Sequence, residues 1–424
     1  MTIDLRYGRD GLAVDLPKER VAAVLRLSHP PPLQDPELAV AESLRSPIDS
    51  APLADLANGR KNAVVVISDI TRPVPNRVLL PPILTTLTEC GIRREEVLIL
   101  IGGGLHRLST EAEILEMVGP EIRQSYEILC HDGFSPDGLT NIGSTMRGTE
   151  AYINTLYVEA DLRITTALIE PHLMAGFSGG RKAVVPGLAG ELTMRVLHGP
   201  QMLEHPSSRE GVLIGNPFHG EAVEIARMAG VDFIVNTTLN DQRQITGIFS
   251  GDLESAHTAG CEATRLGAEA QLDEPVDVVV TTAAGYPLDL TFYQTVKAMT
   301  AAIPAVKPGG VILVASRCDE GVGSPPYTKL MRETSSVGEF RARMWDDERF
   351  TIDQWQLEEQ CRALDHAEVW LYTEGLSHLQ AGDLLVRPVE SVKRGVTDAL
   401  ALFGPRACLA VIPDGPYVMP TLSR

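Results

Sequence analysis

Four segments of the chain gather residues able to do chemistry, and each follows an apolar run. AVVVIS leads into Asp69-Ile70-Thr71-Arg72-Pro73, and VLILI leads into Gly102-Gly103-Gly104-Leu105-His106. RITTALIE leads into Pro171-His172 and on to Gly176-Phe177-Ser178-Gly179-Gly180-Arg181-Lys182. VVVTTAAG leads into Tyr286-Pro287-Leu288-Asp289, followed by Tyr293, Gln294 and Lys297. In an open α/β sheet, ligands bind beyond the C-terminal ends of strands, so this recurrence argues for a site rather than for four unrelated loops. His106 and His172 both stand at such ends and have the side chain best suited to moving protons near neutrality. Arg72 has the planar fork that clamps carboxylates. Ser178-Gly179-Gly180 has unhindered backbone N–H groups beside Arg181 and Lys182, which suits an anion nest. Lys182 precedes the apolar run AVVP and is either a snorkelling cation or an amine able to form a covalent link. Gln294 and Lys297 are spaced i, i+3, so both can point into one pocket, and Tyr293 and Lys297 are spaced i, i+4; a solvated helix face is the alternative.

Familiar phosphate and metal motifs are absent. After Gly102-Gly103-Gly104 the third glycine of G-x-G-x-x-G is missing, which argues against a nicotinamide dehydrogenase. Around Lys182, Arg181 stands where a P-loop needs glycine and Ala183 where it needs Ser or Thr. Neither C-x-x-C nor H-E-x-x-H occurs, so a metal would be held by few protein ligands or through an organic cofactor. His198 closes the helical stretch Glu191–Leu197 ahead of Gly199-Pro200 and is the third histidine of interest among ten.

The elements that must position these residues read as α/β. Buried strands are expected at Ala63–Ser68, Val97–Ile101, Ala160–Ala167, Phe233–Thr237, Val276–Thr282 and Gly310–Ala315, separated by helical patterns, which predicts mostly parallel sheets. A helix is expected to begin after Pro82 and stop at Gly91, another to span Glu221–Ala229, and Asn240–Arg243 to form a hairpin turn. The composition break near Gln271–Pro275 divides the chain into an expected domain of residues 1–270 and a second of 271–424, with the final segment compatible with packing on either. The 424 residues have a net charge of −19 and 44% hydrophobic content, which fits a folded protein and disfavours nucleic acid and anionic membrane surfaces as partners. Six scattered cysteines fit reduced thiols, and neither a secretory leader nor an apolar run of membrane-spanning length is present, so a cytoplasmic location is expected.

Taken together, Asp69-Ile-Thr-Arg72-Pro, Gly-Gly-Gly-Leu-His106, Pro171-His172 with Ala-Gly-Phe-Ser-Gly-Gly-Arg-Lys182, Val-Leu-His198-Gly, Tyr293-Gln294-x-x-Lys297 and Asp353-Gln354-Trp355-Gln356 resemble the nickel-pincer nucleotide-dependent lactate racemase family. The resemblance implies two α/β domains with the active site in the cleft between them. It implies a nickel-pincer nucleotide, a pyridinium-3-thioamide-5-thiocarboxylic acid mononucleotide carrying nickel, tethered covalently to Lys182, with His198 as protein ligand to the metal. His106 and His172 would be the acid/base pair. Asp69, Ser178, Gly179, Gly180 and Arg181 would surround the cofactor. Arg72, Tyr293, Gln294, Lys297 and Trp355 would bind substrate. Separate maturation enzymes would be partners.

The chemistry makes these parts consistent with one another. The C2 hydrogen of a 2-hydroxy acid is scarcely acidic beside an ionised carboxylate, so direct abstraction by histidine is a poor route, whereas reversible hydride transfer avoids the carbanion. The expected function is therefore racemisation or epimerisation of a small 2-hydroxy acid, with Leu173, Met174 and Phe177 suggesting an apolar pocket. A larger substrate (malate, an aliphatic or a sugar acid) and a non-catalytic cofactor- or acid-binding homologue are the competing expectations.

Overall fold

The computed structural model describes residues 1–28 and 30–423. The chain divides into two compact units, His29–Leu266 and the combination of Met1–Ser28 with Gly267–Arg424. The first unit is built on a six-stranded sheet in the order Ile245–Gly251, Phe233–Leu239, Leu162–Leu168, Ala63–Ser68, Val97–Gly102, Glu127–Cys130. All neighbours are parallel except the hairpin that adds Ile245–Gly251 at one edge. Its turn has Asn240 N–H donating to the Gln244 carbonyl at 2.9 Å and Arg243 at φ 61°, matching the expected turn. The central strands are apolar on both faces because both are covered: Val64, Val66, Leu100 and Ile234 are buried on one, and on the other Val65, Ile67, Ile99, Ile101, Ile164 and Phe233 pack with Leu79, Leu80 and Ile83 of the helix Asn76–Glu89. That helix begins before the expected start at Pro82, with Pro81 and Pro82 inside its second turn.

The chain runs outward from Ala63–Ser68 through Val97–Gly102 to Glu127–Cys130, then returns to lay Leu162–Leu168 on the other side of Ala63–Ser68. The reversal of strand order therefore falls between these two strands, and their C-terminal ends lead into Asp69 and Glu170. Such a reversal opens a crevice at the strand ends where doubly wound sheets bind ligands.

The second unit has a fully parallel six-stranded sheet in the order Arg387–Pro388, Glu368–Tyr372, Val306–Ala315, Val276–Thr282, Leu409–Ile412, Val21–Val24. Its first 28 residues are not part of the unit that follows them, as a single 1–270 domain would require. Val21–Val24 pairs beside Leu409–Ile412, and Arg20 Nη1 donates to the Ala407 carbonyl at 2.7 Å. Hydrophobic pairing at the sheet edge, invisible as a local pattern, assigns them there. The expected boundary near 271 lies within a few residues of the observed one at Gly267. The final segment packs with this unit too, since Met419–Leu422 pairs in parallel with Glu269–Leu272. Among the described residues no helix is long and apolar enough to cross a membrane. All six cysteines are free.

Candidate active site

In the first unit the site grows from the two strand ends at the reversal. Beyond Ser68, Asp69 turns back with 5% of its surface exposed. Its Oδ1 accepts from Thr71 N–H at 3.2 Å and from Thr71 Oγ1 at 2.6 Å, and its Oδ2 lies 2.6 Å from His106 Nδ1. The glycine turn carries His106 to this contact: His106 N–H donates to the Gly103 carbonyl at 3.0 Å, and Gly104 sits at φ 59°, where a Cβ would stand 3.1 Å from the Pro186 carbonyl oxygen. Burial alone would raise the Asp69 pKa, but the charge and hydrogen bond of His106, with Thr71 and Arg72, outweigh it and pull the value down to about 2. The ionised carboxylate is an acceptor only, so His106 carries its proton on Nδ1 and offers the lone pair of Nε2.

Across the reversal, Arg72 Nη1 donates to Glu170 Oε1 at 3.2 Å, which links the two strand ends directly. The other oxygen, Glu170 Oε2, is buried without a hydrogen-bond partner. His172 follows in a short hairpin in which Pro171 pairs with Phe177 and His172 with Gly176. Its ring is buried, and Nδ1 accepts from the N–H groups of Met174 and Ala175, each at 3.2 Å.

The Gly-rich loop differs from the expected nest. Ser178 N–H donates to the Glu170 carbonyl, Gly180 N–H to Asn236 Oδ1 at 3.0 Å, and Lys182 N–H to the Gly179 carbonyl. Ser178 Oγ donates to the Leu168 carbonyl at 2.7 Å and accepts from Glu170 N–H at 2.9 Å. These groups are spent on shaping the loop rather than on an anion. Arg181 also turns inward. Its guanidinium is 1% exposed, and it donates to the carbonyls of Ala175 at 2.6 Å and Gly179 at 3.3 Å and meets His257 Nε2 at 3.0 Å. Gly179 and Gly180 allow this packing: a Cβ on Gly180 would stand 2.7 Å from the His257 ring, and one on Gly179 2.8 Å from Asn236 Oδ1. Leu173, Met174 and Phe177, expected to line a pocket, are buried in the interior, where Phe177 lies beneath the Arg265 guanidinium.

Lys182 and His198 converge on a residue that the sequence reading passed over, Phe218. Lys182 Nζ stands 5.1 Å from its ring centroid, and His198 meets the same ring edge-on at 5.0 Å. Phe218 is held by the N-terminal turn of the helix Pro217–Ala229. The cap residue Asn216 accepts from His219 N–H and donates to the Met174 carbonyl at 2.9 Å, tying this helix to the His172 hairpin. The signal was legible, since Asn216-Pro217 is a cap followed by proline at the first helical position, four residues ahead of the expected start at Glu221. His198 Nδ1 lies 3.2 Å from the Met194 carbonyl, which must accept, leaving Nε2 as a neutral donor to a metal. Burial, with the nearby Lys182 charge, depresses its pKa to about 3 against the carbonyl contact.

Two more histidines, the buried His257 and the half-buried His219, share that state. Burial and Arg181 push His219 down to about 3 and His257 well below its ordinary 6.5. The folded chain keeps these rings neutral while the unfolded chain gains protons below pH 6.5, so the unfolded state binds more protons there and stability falls as pH drops from about 6.5 toward 3. Each ring contributes a slope of about 1.4 kcal/mol per pH unit, about 4 for His198, His219 and His257 together. Urea unfolding of the protein between pH 7.5 and 5 is expected to show this steep loss. A midpoint that does not move would contradict it.

In the second unit Tyr293, Gln294 and Lys297 share the helix Phe292–Ala302, and Trp355 begins the helix Gln354–His366. Trp355 Nε1 donates to the Tyr293 hydroxyl at 2.8 Å, and Gln356 Nε2 donates to the Tyr293 carbonyl at 2.7 Å, so the two expected aromatic residues are joined. Gln294 Oε1 is buried without a hydrogen-bond partner. Among the described residues no group of three or more His, Cys, Asp or Glu side chains is placed to hold a metal ion.

A two-unit α/β chain with a carboxylate-backed histidine beyond the strand ends of one sheet has the architecture of an enzyme. Models of the Lactate racemase N-terminal and C-terminal domains match residues 7–211 and 272–419. The chain belongs to the lactate racemase family, whose named members are isomerases. It is 34% identical over 422 residues to a lactate racemase of Thermoanaerobacterium thermosaccharolyticum and 33% identical over 421 residues to one of Lactiplantibacillus plantarum, with 98% of both chains covered in each case. The solved structure of the T. thermosaccharolyticum lactate racemase apoprotein superposes with a TM-score of 0.93 at 33% identity, covering 99% of this chain and 100% of that one. A Thermotoga maritima protein at 18% identity and TM-score 0.72, covering 92% of this chain and 99% of that one, shares the fold.

Proposed function

We propose that this protein racemises a small 2-hydroxy acid, with lactate as the reference substrate, using a nickel-pincer nucleotide tethered through Lys182. The observation that carries the reading is the pairing of a proton-accepting His106, backed by Asp69, with a lysine and a neutral histidine resting on one aromatic ring. The residues fit the group: the Lys182 amine is available in type for a thioamide link, and His198 presents an unprotonated Nε2 as nickel ligand. When bound, the group supplies a reversible hydride acceptor for the substrate C2 position. The Gly-rich loop contributes shape through Ser178, Gly179, Gly180 and Arg181. Arg72 engages the substrate carboxylate while its Nη1 stays on Glu170, and His106 with His172 handles the hydroxyl proton. Tyr293, Gln294, Lys297 and Trp355 are assigned to substrate binding on the strength of the family motif. The maturation enzymes that build the cofactor are the expected partners, and free thiols support a reducing, cytoplasmic setting.

The test is protein made in a cofactor-competent host and assayed by chiral chromatography over lactate, longer aliphatic 2-hydroxy acids, malate and sugar acids. Racemisation of lactate or a close aliphatic relative is expected. Arg72→Ala should raise KM for the acid by about 10–100-fold, the worth of one charge-assisted hydrogen-bonded contact. Unchanged kinetics in that variant would remove Arg72 from substrate binding. Inactivity of nickel-loaded protein on the whole panel would overturn the function.

A further inference from the structure

We propose that Asp353 is a positioning residue for substrate binding, its carboxylate committed to fixing the Tyr293–Trp355 pair rather than to capping its own helix. The proposal rests on the racemase reading for the role of that pair but not for its geometry.

Asp353 stands at the N-cap of the helix Gln354–His366, where an aspartate ordinarily has extended backbone and accepts from the first amides of its helix. Here it does neither. Its backbone is left-handed, at φ 69° and ψ 4°, and its side chain makes no capping hydrogen bond. Left-handed backbone is sterically unfavourable for any residue but glycine, so contacts outside the helix must hold it there. Two such contacts meet at the carboxylate. Ser324 Oγ donates to Asp353 Oδ2 at 2.5 Å, and the Tyr293 hydroxyl is hydrogen-bonded to the same carboxylate. Burial, and then the Asp353 charge, hold the Tyr293 phenol well above its ordinary range, so it keeps its hydrogen.

A carboxylate only accepts, so the hydroxyl donates its one hydrogen to Asp353 and turns its lone pairs to Trp355 Nε1–H, 2.8 Å away. The donors therefore point one way, from Trp355 through Tyr293 to Asp353. Ser324 is fixed in turn: as the cap of the helix Pro325–Glu333 it accepts from Tyr327 N–H at 3.3 Å. The Tyr327 ring meets Tyr293 edge-on with centroids 5.2 Å apart. One carboxylate thus ties the helices Phe292–Ala302, Pro325–Glu333 and Gln354–His366 together around the aromatic pair. Both side chains are ordered before substrate arrives, so their rotamer freedom is not lost on binding.

Asp353→Gly separates positioning from folding, because glycine adopts φ 69° freely and no cap bond is lost. The variant apoprotein is expected to unfold at the native temperature or above it. In 15N-tryptophan-labelled apoprotein the Trp355 indole N–H, assigned by its loss in Trp355→Phe, should shift and exchange with solvent at least ~10-fold faster. The indole of Trp370, which donates to Glu368 at 3.0 Å, should not move. In protein made in the cofactor-competent host, KM for the acid should rise ~10–100-fold with kcat held within ~threefold. Asp353→Asn, which tolerates left-handed backbone and keeps one acceptor oxygen, should show the same changes at smaller size and serves if the glycine variant does not fold. An unmoved Trp355 indole would overturn the proposal, as would a Trp370 signal that moves with it. So would an unchanged KM in Asp353→Gly where Trp355→Phe raises it. Absence of turnover in the wild type on the whole acid panel would count against the racemase reading alone, because the indole measurement does not depend on it.

Discussion

Asp69→Asn is expected to leave a folded protein with nickel and covalent cofactor in place and kcat lowered by about 10²–10⁴-fold. The substitution is nearly isosteric and keeps an oxygen for the two Thr71 donors. What changes is the group facing His106. A carboxylate held at a pKa of about 2 accepts a hydrogen bond at every working pH. An amide NH2 in the same place donates instead, so the imidazole must carry its hydrogen on Nε2, and the lone pair that takes the substrate proton is gone. A long-range 1H–15N spectrum of 15N-histidine-labelled apoprotein checks the cause, since the His106 signal should switch tautomer. A variant within about threefold of the wild type would remove Asp69 from the mechanism.

Lys182→Arg should abolish the covalent adduct and all turnover while leaving the fold intact. Arginine keeps a cation above the Phe218 ring, which lies 5.1 Å from Nζ in the native chain, so the packing there is conserved. A guanidinium remains protonated at any pH the protein tolerates and cannot be acylated as an amine can. Intact mass of protein from the cofactor-competent host should equal that of the bare chain, and thermal unfolding of the apoprotein should match the native one. An adduct of unchanged mass would place the tether on another residue.

Much of this was legible before any coordinates. Strand Ala63–Ser68 stands where its β-branched run ends, and Val276–Thr282 likewise, because parallel strands buried on both faces leave a continuous apolar signal. His106, His172 and Lys182 announced themselves by following such strands, and His198 by closing a helix. Glu170 did not, since a single acid at a strand end has no pattern, and its link to Arg72 exists only because two distant strands are neighbours. Asn216-Pro217 marked the start of the Phe218 helix, but that its ring meets Lys182 and His198 could not be read, because those residues lie on other elements. The fate of the Gly-rich loop could not be read at all: whether Ser178, Gly180 and Arg181 face a ligand or the interior depends on Asn236 and His257, which lie far along the chain.

The arrangement of the two units bears on how the protein is made. Residues 29–266 can complete their own sheet as they leave the ribosome, but Arg20 must wait for Ala407, 387 residues later, before its hydrogen bond can form. The outer unit is thus split around an inserted one, and its strand Val21–Val24 emerges early as an unpaired edge with its neighbour not yet translated. Chaperone demand during synthesis should therefore centre on this opening segment.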